Sequence, residues 1–337
     1  MSHHPLRLLL EFDDRIQRDR EQAPAFLHRR DRRFALDCEQ QGIRPDAAAW
    51  LAHMQRLSGP GSASQTNHKL ELQWQRIQRG FIAAGALFGL ITMAGLLFYD
   101  GGQRINITVF VAFVLLQLLL ATATTVQAVA GWQPWGWLQR RLQPQLPGQT
   151  LAHLQPLLMA RAAHAGGTAF ATTGLLTLLV LLVIQDLAFG WSTTLDTAAG
   201  GYHTLVQALA TPWGWLWPAA VPSQELVEAT RFFRAAPDSP DTPPAQWGQW
   251  WPFVVMLWLT WVLVPRLMLL AFSHWLITHK ARRILQQHPG MQALAWRMET
   301  PTLDTGNQHN DADDLPDTTT RARTVELSDT DHIVCWA

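Results

Sequence analysis

Four long apolar runs constrain this chain more than any other feature of its sequence. They are Phe81–Phe98, Ile107–Ala130, Thr168–Trp191 and Pro252–Ser273. Each has roughly the 17–25 residues that a helix needs to cross a hydrocarbon core of about 30 Å. A buried helix of a soluble protein would keep a polar face, and the stretch Leu175–Ile184 has none. The pattern therefore predicts an all-α membrane protein with four transmembrane helices.

Lysine and arginine are distributed unevenly around these runs. Residues 1–80 hold thirteen of them, the segment between the second and third runs holds three, and six follow the fourth run. The other two connecting segments hold one and two. Because cytoplasmic loops retain basic residues, we expect both termini and the loop between the second and third runs to be cytoplasmic.

Composition divides the rest of the chain. A charged apolar-striped region predicts a basic helical arm, a Gly/Ser-rich stretch a linker, and the Asp/Thr-rich end a disordered acidic tail with an apolar tip. Ser223 before an acidic helical turn predicts a short interfacial helix in the Trp/Pro-rich outer segment. The predicted segments are the arm (1–57), the linker (58–79), membrane helices 1 and 2 (80–131), the loop (132–167), helix 3 (168–191), the outer segment (192–251), helix 4 (252–274), an inner-interface helix (275–298) and the tail (299–337).

Tryptophans flank the apolar runs, and the sequence PWGWL occurs twice, at Pro134–Leu138 and Pro212–Leu216. Tryptophan rings suit the headgroup layer of a bilayer, so we interpret the two copies as interface anchors, one on each side of the membrane. The predicted anchors are Trp132, Trp135, Trp137, Trp191, Trp213, Trp215, Trp217, Trp250 and Trp251.

Few polar residues lie inside the runs. Arg266, next to Pro265, is the ionisable residue inside the fourth run, and Gln117 lies in the second. A charge within a membrane pairs or reaches an interface. Arg266 either snorkels toward the inner surface, or it binds a phosphate or a partner helix where Pro265 frees a carbonyl. Gly85 and Gly89 form a small-xxx-small step that favours close helix packing.

Two charged or apolar features suggest docking to a partner. Four clustered arginines form either a solvated, self-paired helix surface or a contact for anionic lipid or an acidic partner. The apolar tip is either a docking peptide or a frayed end. The candidate docking residues are Arg29, Arg30, Arg32, Arg33, Ile333, Val334 and Trp336.

Signatures of chemistry are missing from the sequence. Thirteen histidines and two cysteines occur without metal-ligand spacing, and there is no phosphate-binding loop or nucleophile elbow. We therefore expect no enzymatic activity, no metal, no cofactor and no nucleic-acid partner.

Several short segments in order resemble an uncharacterised bacterial family of multi-pass inner-membrane proteins, domain of unknown function 2868. They include Arg104-Ile-Asn-Ile, Glu225-Leu-Val-Glu-Ala-Thr-Arg-Phe-Phe-Arg, Trp250-Trp-Pro-Phe and Val264-Pro-Arg-Leu, and the resemblance covers roughly residues 5–285. Members of that family are often encoded beside a membrane protein with a GTPase domain. The resemblance implies a bacterial inner-membrane location and a partner, and it implies no chemistry.

The first functional hypothesis is a non-enzymatic membrane partner or scaffold for a cytoplasmic assembly, which by the resemblance includes a GTPase-domain protein. The second is a channel or transporter subunit with Arg266 in the pathway. A third is an envelope sensor whose outer segment binds a ligand or lipid. Membrane lipid is the expected surrounding, and a homo-oligomer is left open.

Overall fold

The computed structural model describes residues 5–58, 65–98, 104–132, 154–194, 199–232 and 244–301. Within these ranges the chain is almost entirely helical, as predicted, with one two-stranded sheet. The predicted anchors Trp135 and Trp137, the first PWGWL copy and the tail residues Ile333, Val334 and Trp336 lie outside them.

The elements follow one another along the described chain with short connections. They are α1 (Pro5–Asp19), α2 (Pro24–Gln40), α3 (Ala47–Ser58), α4 (Gln65–Leu96), β1 (Ile105–Asn106), α5 (Ile107–Val129), α6 (Gln155–Ile184), β2 (Phe189–Gly190), α7 (Ala199–Gly214), a 3₁₀ turn (Pro218–Ala220), α8 (Gln224–Ala229), α9 (Pro244–Gly248), α10 (Trp251–Trp258), a π-helical turn (Leu259–Leu263), α11 (Val264–Gln286) and α12 (Pro289–Glu299).

Among the described residues, four helical segments are long and apolar enough to span a membrane. They are Leu72–Leu96 in α4, α5, α6 and the continuous stretch Gln246–Gln286. This confirms the four predicted membrane helices, which we call α4, α5, α6 and α10–α11 below.

Two predicted boundaries are wrong. The third membrane helix begins at Gln155 and not at Thr168, because Arg161 and His164 interrupt the apolar run without interrupting the helix. Likewise, α4 begins at Gln65, within the predicted linker. In both cases the polar first turns of a membrane helix extend beyond its apolar part.

The membrane helices pack most closely where α4 crosses α6. A Cβ atom at Gly85 would collide with the backbone of Gly166, and one at Gly89 would collide with Phe170 and Thr173. The hydroxyl of Thr173 also donates to the carbonyl of Ala86 at 3.0 Å. The glycine step therefore lies at the helix contact that the sequence pattern favours.

One end of the membrane helices carries a compact, tryptophan-rich unit. We call it the tryptophan cap; it comprises residues 187–194, 199–232 and 246–253, which share a core with the adjoining ends of α5 and α6. Strands β1 and β2 pair in parallel, with Ile105 opposite Phe189, and so attach the start of α5 to the cap. Ser223 caps α8 by accepting a hydrogen bond from the Leu226 amide, as predicted.

Three of the predicted interface anchors are instead core residues of the cap, and that prediction is wrong for them. Trp191, Trp213 and Trp250 are fully buried. Their indole N–H groups donate to the carbonyls of Val227 and Ala220 and to the hydroxyl of Thr230, respectively. An indole with a protein partner gains nothing from the headgroup layer. Trp132, Trp215 and Trp251 are exposed, and Trp217 is half-buried.

The other end of the membrane helices carries the terminal bundle, which comprises α1, α2, α3, α11 from Ile277 onward, and α12. Its core includes Phe12 and Trp50 from the N-terminal helices and Leu294 from α12, together with Leu154 and Leu158 from the start of α6. The predicted arm and inner-interface helix are therefore one folded unit, fixed to the membrane helices.

Candidate functional site

Arg266 lies two residues after the start of α11, directly behind a change in helix geometry. Pro265 has no backbone N–H to donate. The five residues Leu259–Leu263 widen into a π-helical turn immediately before it. Such turns occur often at functional positions in helices.

The Arg266 side chain points between the membrane helices and is only 9 % exposed. It does not reach an interface, since a terminal guanidinium N–H donates to Oε1 of Gln117, in the middle of α5, at 3.3 Å. The snorkelling expectation is therefore wrong, and Arg266 contacts partner helices. The structure thus brings together Arg266, Pro265 and Gln117, which the sequence suggested separately.

Gly167 on α6 makes room for this guanidinium. A Cβ atom at that position would lie 2.8 Å from one terminal nitrogen of Arg266 and 2.9 Å from its Cζ. The plane of the guanidinium consequently lies against bare backbone, where any larger residue would displace it.

His164, one turn from Gly167, is the second polar group of this region and is fully buried. Its Nε2 is 2.9 Å from the hydroxyl of Thr125 on α5. The Nδ1 of His164 and the Nε of Arg266 are buried and have no hydrogen-bond partner among the described residues. We call Gln117, Thr125, His164, Gly167 and Arg266 the Arg266 cluster.

The Arg266 cluster offers hydrogen-bond donors and one fixed positive charge within apolar surroundings. Arg266 has no carboxylate partner in the described chain, and the described residues hold no group of three or more His, Cys, Asp or Glu suited to a metal. Its chemistry is that of an anion or polar-group binder rather than of proton transfer between acids.

The terminal bundle is held together by a second group of charges. Asp31, which is fully buried, accepts from Arg30 at 2.9 Å, from Arg297 at 2.7 Å and from the indole of Trp50 at 3.0 Å. Arg30 also forms a bidentate pair with buried Asp19, at 2.6 and 3.1 Å. Burial lowers the pKa of Arg30, and its hydrogen bonds to the two carboxylates more than offset this, so the pKa is raised.

This network corrects the interpretation of the arginine cluster. Arg30 is neither a solvated surface residue nor free to dock, because it is committed to Asp19 and Asp31. Arg32 donates to the carbonyl of Met298 at 2.5 Å and so attaches α2 to α12. Arg29 and Arg33 are exposed on the same helix.

A protein family of unknown function, DUF2868, matches residues 120–333, which is more than half of the chain. The chain belongs to this family. No curated protein and no solved structure shows significant similarity to it.

The DUF2868 match covers the region that carries Arg266, His164 and Arg297 and begins inside α5. It differs in extent from the resemblance seen in the short motifs, since it leaves out residues 5–119 and reaches into the acidic tail. Gln117 and the N-terminal partners of Arg297 therefore lie outside the matched segment.

Sequence reasoning missed several residues that the DUF2868 chain uses at these sites. His164 and Thr125 were hidden because each occurs alone in an apolar stretch, and their contact joins two different helices. Asp19, Asp31 and Arg297 carry no local sign of burial, since charged helix residues are exposed by default. The available signal was the polar residue within an apolar membrane run, which applies to His164 as it does to Arg266.

Proposed function

We propose that this protein is a non-enzymatic membrane partner that holds the terminal bundle at the cytoplasmic surface of a bacterial inner membrane as a docking unit. The observation that carries the proposal is that both ends of the described chain fold into one unit with its own core, fixed to the membrane helices. Membrane helices with a folded helical unit of this kind are suited to presenting a surface to a soluble protein.

Charge supports the cytoplasmic placement of the bundle. The bundle side carries the exposed Arg29 and Arg33 and the exposed Arg282 and Arg283. The cap side of the described chain carries Arg104 and Arg231, each above an aromatic ring of the cap. Basic residues are retained on the cytoplasmic side.

The surface of the bundle also exposes large apolar residues. Phe26 on α2 is 50 % exposed, and Trp296 on α12 is 61 % exposed and packs against His28. Exposed aromatic residues beside arginines are typical of protein interfaces. By the family resemblance, the partner is a GTPase-domain protein encoded nearby.

The test is co-purification of that GTPase-domain protein with charge-reversed variants. Arg29→Glu with Arg33→Glu changes the exposed face of α2 and leaves the contacts of Arg30 and Arg32 intact. Arg282→Glu with Arg283→Glu is the control on the same side of the membrane. We expect the first pair to abolish co-purification and the second to preserve it. Equal recovery with both pairs would overturn the proposed surface.

Orientation is tested independently. A cysteine placed at Arg29 in a Cys38→Ser, Cys335→Ser background should resist a membrane-impermeant maleimide in intact cells with a permeabilised outer membrane. A cysteine at exposed Gln207 of α7 should react there. The reverse pattern would place the bundle on the outer side and remove the basis of the proposal.

A second candidate function is a channel or transporter subunit, favoured by the unpartnered polar atoms of the Arg266 cluster. Intramembrane charges mark ion and substrate pathways in many transporters. Anion conductance in reconstituted vesicles that is abolished by Arg266→Leu and retained by Leu267→Ala would establish this function. Its absence in wild-type vesicles would reject it.

A further inference from the structure

A shallow groove of about 400 Å³ lies between three membrane helices on the bundle side of the Arg266 cluster. It is separate from the cluster, since none of the cluster residues lines it. Its lining residues are Gln78 from α4, Arg161 from α6, and Leu267, Leu270, Ala271 and His274 from α11.

Arg161 is the charged residue of this groove and has no counter-ion within the protein. It is half-buried, and its one hydrogen bond in the described chain runs to Oε1 of Gln78 at 3.4 Å. No carboxylate of the described residues pairs with it. Five N–H donors on a guanidinium leave capacity for a planar, bidentate anion such as a phosphate.

The groove changes character along its length. His274 lies seven residues after Leu267 on α11, a distance of about 10 Å along a helix. Leu267, Leu270 and Ala271 form apolar walls toward the middle of the membrane helices, while Gln78, Arg161 and His274 lie on the side of the terminal bundle. A polar end beside an apolar wall, at the end of a membrane helix, matches the layout of a phospholipid molecule.

We propose that this groove binds one anionic phospholipid, with its phosphate on Arg161 and Gln78 and the upper part of an acyl chain along Leu267 and Leu270. Charge complementarity requires an anionic group at Arg161. The apolar walls, Leu267 among them 47 % exposed, select a lipid over a soluble anion. The site stands whether the protein acts as a docking unit or as a channel.

The experiment is native mass spectrometry of the full chain in detergent, titrated with phosphatidylglycerol or phosphatidylcholine. The wild-type protein should retain phosphatidylglycerol more tightly. Arg161→Gln should lower that affinity by about tenfold or more, since a charge-assisted hydrogen bond is lost. The matched control is Arg79→Gln, which removes an exposed arginine at the same level of α4 outside the groove. An equal loss in both variants would overturn the site.

Two further arms remove the remaining ambiguities. Leu270→Trp fills the apolar part of the groove and keeps Arg161, so it tests the site even where Arg161→Gln does not fold. It should reduce phosphatidylglycerol retention, and unchanged retention would contradict the acyl-chain contact. Inorganic phosphate should not compete with the lipid. Competition at millimolar concentration would assign the groove to a free anion and reject the lipid.

Discussion

Arg297 donates from Nε to a carboxylate oxygen of Asp31 at 2.7 Å, across 266 residues of sequence. The carboxylate is fully buried, and it simultaneously accepts from Arg30 and Trp50. One side chain thus ties α12 to α2 and α3, with all of the membrane helices between them in sequence. The integrity of the docking unit depends on this contact more than on any surface charge.

Asp31→Asn should destabilise the terminal bundle. Removing one partner of a buried ionic network leaves charges unpaired and costs about 3–5 kcal/mol. Thermal unfolding in detergent, followed by protease sensitivity of residues 5–58, measures the effect. Asp37→Asn, on the same helix and outside the network, is the control and should unfold at the wild-type temperature. Identical melting of both variants would show that the network adds no stability.

Gly85→Ala should weaken the contact between α4 and α6. The added methyl group collides with the backbone of Gly166, which cannot move aside cheaply. Overpacking of this kind costs about 1–3 kcal/mol. At Gly95, on the same helix, a Cβ meets nothing within 4 Å, so Gly95→Ala should stabilise by about 0.5–1 kcal/mol through helix propensity. Unfolding titrated with sodium dodecyl sulfate should give these opposite signs, and a shared sign would refute the packing argument.

Arg266→Met should leave the protein as stable as the wild type or more stable, by about 1–3 kcal/mol. A buried guanidinium without a carboxylate costs desolvation that a thioether of similar length avoids. The same unfolding assay measures this. Leu267→Met, at an exposed neighbouring position, controls for the substitution itself. A strong loss of stability in Arg266→Met would mean that the charge has an anionic counterpart in the folded protein.

Cys38 should react slowly with iodoacetamide in the folded protein. Its thiol is 5 % exposed. Burial, with a smaller contribution from Asp37, raises its pKa, so the reactive thiolate is scarce at pH 8. The rate is measured in a Cys335→Ser background against Leu36→Cys, an exposed position on the same helix, in a Cys38→Ser chain. Equal rates at the two positions would show that α2 does not pack against the bundle core.

Stability should fall at high pH through Tyr202. Burial raises the pKa of Tyr202 to about 12, with Thr108 donating to its hydroxyl at 3.2 Å and opposing the shift. Because the folded pKa exceeds the unfolded value of about 10, this stabilisation is complete below pH 10 and is lost as the pH rises from 10 to 12. In a Tyr99→Phe background, tyrosinate absorbance should rise near pH 12. A rise near pH 10 would place Tyr202 in solvent.

Local chemistry made part of this structure predictable. The apolar run Leu175–Ile184 could only be a membrane helix, and Ser223 could be assigned as a helix cap from the residues that follow it. Gly85 and Gly89 indicated a close helix contact, although the sequence did not say with which helix. Each of these inferences depends on residues within one or two helical turns.

The remainder depends on contacts between distant residues. Trp191 and Trp215 have the same amphipathic side chain beside the same kind of apolar helix, yet one is buried in the cap and the other is exposed. Only the chain that folds over a residue decides this outcome. For the same reason Arg29 and Arg30, adjacent in an arginine cluster, differ in role, since Arg30 happens to face Asp19 and Asp31.

The pairing of Asp31 with Arg297 also fixes the order of events during synthesis. A ribosome adds about 5–20 residues per second, so the carboxylate waits for its second arginine on the order of tens of seconds while four membrane helices are made and inserted. Until α12 emerges, the face of α2 that it will cover stays open. A chaperone or the partner itself can recognise that face, so that only a chain whose last membrane helix has been inserted completes the docking unit.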